Sequence, residues 1–123
     1  MKIYIGHSRA FDFITELYQP IKESSLVSKH EIIFPHEIPA EKNSKDIIKN
    51  CDLMIAEVSF PSTGLGIELG WASDAQCPIL CISKQGSKVT SSLQFVCKDF
   101  IEYSNSKDMI IKIQDFLNTF DDL

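Results

Sequence analysis

A carboxylate set just beyond a glycine-rich turn is the first chemical device in this chain. Pro61-Ser62-Thr63-Gly64-Leu65-Gly66-Ile67-Glu68 follows the apolar run Leu53-Met54-Ile55-Ala56 and leads into a segment of helical character. A short glycine-rich link between strand and helix exposes backbone N–H groups and a helix N-terminus, which favour an anionic group such as phosphate. Ser62 and Thr63 add hydroxyl donors. Glu68 beside this cradle points to a site that holds a sugar phosphate at one end and does chemistry at the other.

Elements that could position these residues alternate between strand and helix, the pattern of a parallel sheet covered on both faces. Strands are expected at 2–6, 30–34, 51–59, 78–83 and 100–103. Helices are expected at 10–24, 43–50, 65–76 and 106–120, with a helical turn at 91–96. Phe11, Ile14, Leu17, Tyr18 and Ile21 recur near helical period, although Pro20 should kink or divide their helix. Met109, Ile110, Ile113, Phe116 and Leu117 mark the inward face of the last helix. The expected architecture is α/β, a flavodoxin-like or Rossmann-like three-layer fold on a five-stranded parallel sheet.

In such sheets ligands bind beyond the carboxyl ends of the strands, where strand order reverses. Here that point falls between the first and third strands. It brings Gly6, His7, Ser8 and Arg9 against the 61–68 segment, so that one guanidinium, several hydroxyls and one carboxylate converge.

Composition narrows the classes of function. The 123 residues and 44% hydrophobic content suit one domain spanning 1–123. A formal charge of -5, with Arg9 the only arginine, argues against binding a nucleic acid polymer through its phosphates. A small-molecule phosphate is the expected partner. No apolar run approaches the roughly 20 residues that cross a bilayer, and the start Met-Lys-Ile-Tyr-Ile does not read as a signal peptide. No membrane partner and a cytoplasmic location are therefore expected. Cys51, Cys77, Cys81 and Cys97 form no C-x-x-C pair and have no histidine at zinc spacing, so they read as reduced core thiols. Neither metal nor cofactor is called for, and Asp121-Asp122-Leu123 reads as a frayed end.

Ala56-Glu57-Val58 followed by Pro61-Ser62-x-Gly64-x-Gly66-x-Glu68-Leu69-Gly70-x-Ala72 resembles the signature of the nucleoside 2-deoxyribosyltransferase superfamily. Its 2'-deoxynucleoside 5'-phosphate N-hydrolases are the most similar branch, and Tyr4-x-x-x-Ser8-Arg9 resembles their first-strand loop. The resemblance implies that Glu68 is the nucleophile at the anomeric carbon and that Tyr4 supports it. It implies phosphate contacts from Ser62 and from the Ser8–Arg9 loop, with Gly6, Gly64 and Gly66 shaping the cradle. Ser91 is similar to a phosphate-binding serine donated by a neighbouring subunit, which implies a homodimer or higher homo-oligomer with shared sites.

One position departs from the pattern. The family's aspartate, which helps protonate the leaving base, is replaced by Ser44, 24 residues before Glu68. Asp46 follows two residues later, but two helical residues turn a side chain by roughly 200°. With Asn43 as N-cap, Asp46 also has a structural reading, as an acid in the first helical turn.

Cleaving an N-glycosidic bond passes through an oxocarbenium-like centre that a carboxylate can trap, and the leaving base needs a proton. Asp46, Glu57 and His36 are the residues of suitable type. Each has a plainer alternative: Glu57 as a scaffold carboxylate near the sheet edge, His36 as a surface loop residue. His7 either contacts phosphate or does not, and Trp71 and Tyr18 read as packing residues. Three functional classes stay open: an N-glycosidase or deoxyribosyltransferase on deoxynucleosides or their 5'-monophosphates, a noncatalytic nucleotide-binding module, and an NAD-cleaving domain of Toll/interleukin-1 receptor type. The Ser62-x-Gly64-x-Gly66-x-Glu68 spacing favours the first over the third.

Overall fold

The computed structural model describes residues 1–39 and 42–121; of the frayed end expected at Asp121-Asp122-Leu123, Asp121 closes the last helix and the other two residues lie outside the described ones. Five strands, β1 (Lys2–His7), β2 (Glu31–Ile33), β3 (Leu53–Glu57), β4 (Ile79–Lys84) and β5 (Asp99–Tyr103), form one parallel sheet. Its order is β2-β1-β3-β4-β5, so the chain reverses direction across the sheet between β1 and β3, as expected. The register sets Ile3 beside Leu53 and His7 beside Glu57.

Strand side chains alternate between faces, and here both faces are buried. On one, Ile3, Ile5, Leu53, Ile55, Leu80 and Ile82 pack against Leu17, Tyr18 and Ile21 and against Met109, Ile113 and Leu117. The last three belong to helix α5 (Ser106–Asp121). On the other face, Tyr4, Met54, Ala56 and Cys81 pack against Ile48, Leu65, Leu69 and Ala72. Those come from α3 (Ser44–Lys49) and α4 (Thr63–Asp74). The result is the three-layer α/β arrangement that the sequence pattern predicts. All four cysteines are free and buried, the environment expected of core thiols.

The first helical region differs from expectation. Instead of one helix over 10–24, the chain makes a π-helical turn at Ile14–Tyr18, then α1 (Gln19–Lys22) and, after a break, α2 (Leu26–Lys29). Pro20 supplies the physical reason, because it has no N–H to donate and its ring collides with the carbonyl four residues earlier. The turn before it widens, and the Gln19 N–H bonds to Ile14 O, five residues back. The start is fixed by Asp12, whose carboxylate accepts from Thr15 N at 3.2 Å. Ile14, expected to face inward, is 62% exposed as a result.

α4 begins two residues before its expected start, because Ser62 caps it by accepting from Leu65 N at 3.3 Å. Gly64 and Gly66 therefore lie in the first turns of the helix rather than in a loop. Gly6 has a packing role: a Cβ there would stand 2.4 Å from the Met54 methyl and 3.1 Å from Leu65 Cδ1. Its bare backbone lets α4 lie close on β1. In Gly6→Ala a swing of the flexible Met54 terminus absorbs the extra carbon. Gly6→Val overpacks the site and should lower unfolding free energy by about 1–3 kcal/mol in urea titration.

Candidate active site

Loops leaving the carboxyl ends of β1, β2 and β3 surround an open cleft of about 740 Å³, within the ~300–1,000 Å³ range of small-molecule sites. From β1 come His7, Ser8 and Arg9; from the β2 side come His36 and Ser44; from the β3 side come Ser62, Gly64, Glu68 and Trp71. Glu68 is half-buried in the second turn of α4. Tyr4, fully buried on β1, donates its hydroxyl proton to Glu68 Oε2 in a short hydrogen bond.

Burial pushes the Glu68 carboxyl above its ordinary value, and the Tyr4 hydrogen bond partly offsets this by favouring the charged form. Burial and the adjacent carboxylate push the Tyr4 hydroxyl up, so it stays protonated and remains a donor. Ser44, which lines the cleft, acts on the Tyr4 hydroxyl in the opposite sense and pulls its pKa down. Ser44, singled out in the sequence only as a replaced acid, thus bears on the Tyr4–Glu68 pair.

The α4 N-terminus, Ser62 and Arg9 border the same cleft and offer it N–H, hydroxyl and guanidinium donors. Arg9 is exposed and has no ion pair among the described residues. Ser8 is buried, and its Oγ accepts from Ala10 N at 3.0 Å, which shapes the loop that presents Arg9. Phe11 and Phe60, from the loops after β1 and β3, stack with centroids 5.0 Å apart. Lys84 lies 5.3 Å from each ring and pairs with Glu16 at 2.6 Å, bracing the two loops against β4.

Several expected site residues stand elsewhere. Gly6 and Gly66 do not line the cleft: the first is under α4, and a Cβ on the second would meet open space. Asp46 is exposed and faces a separate groove with Lys2 and Asn50, the consequence of its helical offset from Ser44. Asn43 does cap α3, accepting from Lys45 N at 2.9 Å. Ser91 sits exposed on a 3-10 turn at Ser91–Phe95, outside the cleft of its own chain.

Glu57 is also outside the cleft. Alternation along β3 puts it on the face opposite Tyr4, 1% exposed, where it accepts from Ser59 N at 2.6 Å, Ser59 Oγ at 3.0 Å and the Tyr103 hydroxyl. Ser59 Oγ in turn accepts from Lys84 N at 2.7 Å. This carboxylate ties together the upper ends of β3, β4 and β5. Tyr18 is a core residue, its hydroxyl 2.6 Å from His7 Nε2, and His7 Nδ1 lies 2.8 Å from Ser8 O. Both ring nitrogens of His7 are therefore committed.

Among solved structures, the CMP N-glycosidase BcmB of Clostridium botulinum aligns with a TM-score of 0.66 and 24% identity, covering 93% of this chain and 99% of that one. The 2-deoxyribosyltransferase of Bacillus psychrosaccharolyticus aligns with a TM-score of 0.64 and 15% identity, covering 89% and 90%. The chain has the nucleoside 2-deoxyribosyltransferase-like fold. No family model matches its sequence, and no curated protein matches it by sequence. Among the described residues no group of three or more metal-ligating side chains converges, and no helix is long and apolar enough to cross a membrane.

Removing the Tyr103 hydroxyl leaves the buried Glu57 carboxylate short of a donor, at a cost of about 1.5–3 kcal/mol for a hydrogen bond to a charged group. Tyr103→Phe should show that loss in chemical denaturation.

Proposed function

We propose that this chain cleaves or transfers the N-glycosidic bond of 2'-deoxynucleosides or their 5'-monophosphates, with Glu68 as the nucleophile. The observation that carries this reading is Glu68 lining the cleft and bonded from beneath by the buried Tyr4, five residues into a helix whose N-terminus favours anions. A nucleotide seated with its 5'-phosphate on Ser62, Arg9 and the α4 N-terminus would extend its sugar toward Glu68. The carboxylate attacks the anomeric carbon as the base departs, and water or a second base discharges the glycosyl-enzyme. Tyr4 holds the attacking oxygen and keeps part of the carboxylate population ionised. Two solved structures that share the fold, a CMP N-glycosidase and a 2-deoxyribosyltransferase, support this class of chemistry.

A shared site in a homodimer belongs to the same reading. Ser91 can reach phosphate only in a second copy's cleft, and Phe95, 81% exposed on the same turn, offers apolar surface for that contact. A small-molecule partner rather than a nucleic acid polymer accords with the chain's acidic charge, and a cytoplasmic location is part of the same reading.

The test is chromatographic: base release or exchange from the four 2'-deoxynucleoside 5'-monophosphates and from CMP, with and without a second free base. Turnover should vanish in Glu68→Gln, while a binding-only module would show saturable binding and no release from either protein. The same variant has a stability signature. A folded pKa raised above the unfolded value means that ionising Glu68 destabilises the fold, a penalty absent below about pH 4 and growing as pH rises through the folded value. Glu68→Gln should therefore melt higher than the parent at pH 7 and show no such gain at pH 3.

Tyr4→Phe removes the donor that favours charged Glu68, so the acid limb of kcat/KM should move to higher pH by about one unit, the equivalent of a charge-assisted hydrogen bond at a half-buried site. An unmoved limb would separate Tyr4 from the nucleophile.

A further inference from the structure

The proposed reaction requires a proton for the departing base, and the cleft presents few groups that could supply one. Ser44 carries a hydroxyl where an acid is expected, Asp46 faces another groove, and Glu57 is enclosed on the far side of the sheet. Of the titratable side chains that do line the cleft, Arg9 does not deprotonate in proteins, and Glu68 is the nucleophile. His7 has both ring nitrogens engaged, by Ser8 O and by Tyr18. That leaves His36.

Its geometry suits the task. The His36 ring rests on Phe13, with centroids 4.7 Å apart, and on His7, 5.1 Å apart, while its backbone N–H donates to the Tyr18 hydroxyl at 3.3 Å. The ring is therefore shelved on an aromatic platform. Neither of its nitrogens has a hydrogen-bond partner among the described residues, and the residue lines the cleft. His36 enters from the β2 side and Glu68 from the β3 side, with β1 between them in the sheet. His36 and Glu68 thus face one cleft from opposite sides of β1.

We propose that His36 is the acid that protonates the leaving base, an assignment that rests on the glycosidase reading above. As the Glu68 oxygen bonds to the anomeric carbon, the C–N bond breaks and its electron pair goes to the base nitrogen. That nitrogen takes the proton of the His36 imidazolium. Water then adds to the anomeric carbon as the ester to Glu68 breaks, and the proton that water loses restores the imidazolium.

The groups around His36 set the pH range. His36 is exposed overall, and desolvation of the ring side that rests on Phe13 and His7, with the Arg9 guanidinium, pushes its pKa below the ordinary 6.5. His7, itself pushed down by burial, faces it with ring centroids 5.1 Å apart. Tyr18 stays protonated, its hydroxyl pushed up to about 12. Glu37, the next residue, is paired with Lys22. Glu68, across the cleft, must be ionised while His36 is charged, so kcat/KM should follow a bell on the acid side of neutrality, its alkaline limb belonging to His36.

The deciding experiment compares the parent protein with His36→Gln and His36→Phe on dCMP and on 4-nitrophenyl 2-deoxyriboside 5-phosphate, whose phenolate leaves without a proton. Both variants should lose about 100-fold or more in kcat/KM on the nucleotide, the scale of general-acid catalysis, and stay within about fivefold of the parent on the nitrophenyl compound. Their alkaline limb should disappear. Equal losses on both substrates, or full activity in His36→Phe, would overturn the assignment and leave the glycosidase reading intact. A parent protein that cleaves neither substrate, nor any other nucleotide of the panel, would overturn both.

Discussion

Alternation along two neighbouring strands decides which side chains this protein can bring to its cleft. β1 and β3 run parallel in a register that sets His7 beside Glu57, and both strands bury side chains on both faces. Tyr4, three residues before His7, projects toward α3 and α4, whereas Glu57 projects toward α5. A one-residue slip would exchange these faces and remove the hydroxyl from Glu68. Gly6 belongs to the same constraint, since its missing side chain sets how closely α4, and with it Glu68, lies on the sheet.

Two tyrosine–glutamate pairs result, one on each side of the sheet, and their surroundings separate their roles. Glu57 is enclosed and takes hydrogen bonds from Tyr103 and twice from Ser59, leaving little capacity for a substrate. Glu68 has one such donor and an open side toward the cleft. The first pair holds strands together. The second keeps an under-satisfied carboxylate, whose raised pKa reflects burial without full compensation.

The layer order, the reversal point between β1 and β3 and the turn leading to Glu68 were all legible in the sequence, because alternating periodicity and glycine-rich punctuation are local signals. Ser62 reads in the sequence as a phosphate contact, and in the structure it caps α4, two roles that hydroxyls at helix starts can share. Glu57 was misassigned because period 2 reveals that a strand has two faces, not which face meets the site; that depends on the register with β1. The single helix read over 10–24 failed where Asp12 and Pro20 each imposed a local rule stronger than the apolar period. Ser44 gave no sign of its influence on Tyr4, since nothing in the chain places residues 4 and 44 together before the sheet forms.

The Tyr4–Glu68 bond joins residues 64 positions apart, and the β1–β3 ladder beneath it pairs residues about 50 apart. Loops of that length close only at an entropic cost, and contacts between distant segments dominate slow folding steps. The cleft therefore has no precursor in any local segment: neither the amino-terminal third nor the strand–turn–helix around Glu68 contains half of it in working form. Function in this chain comes into being together with the central sheet, and a nascent chain has no partial version of the site to expose before β3 has docked.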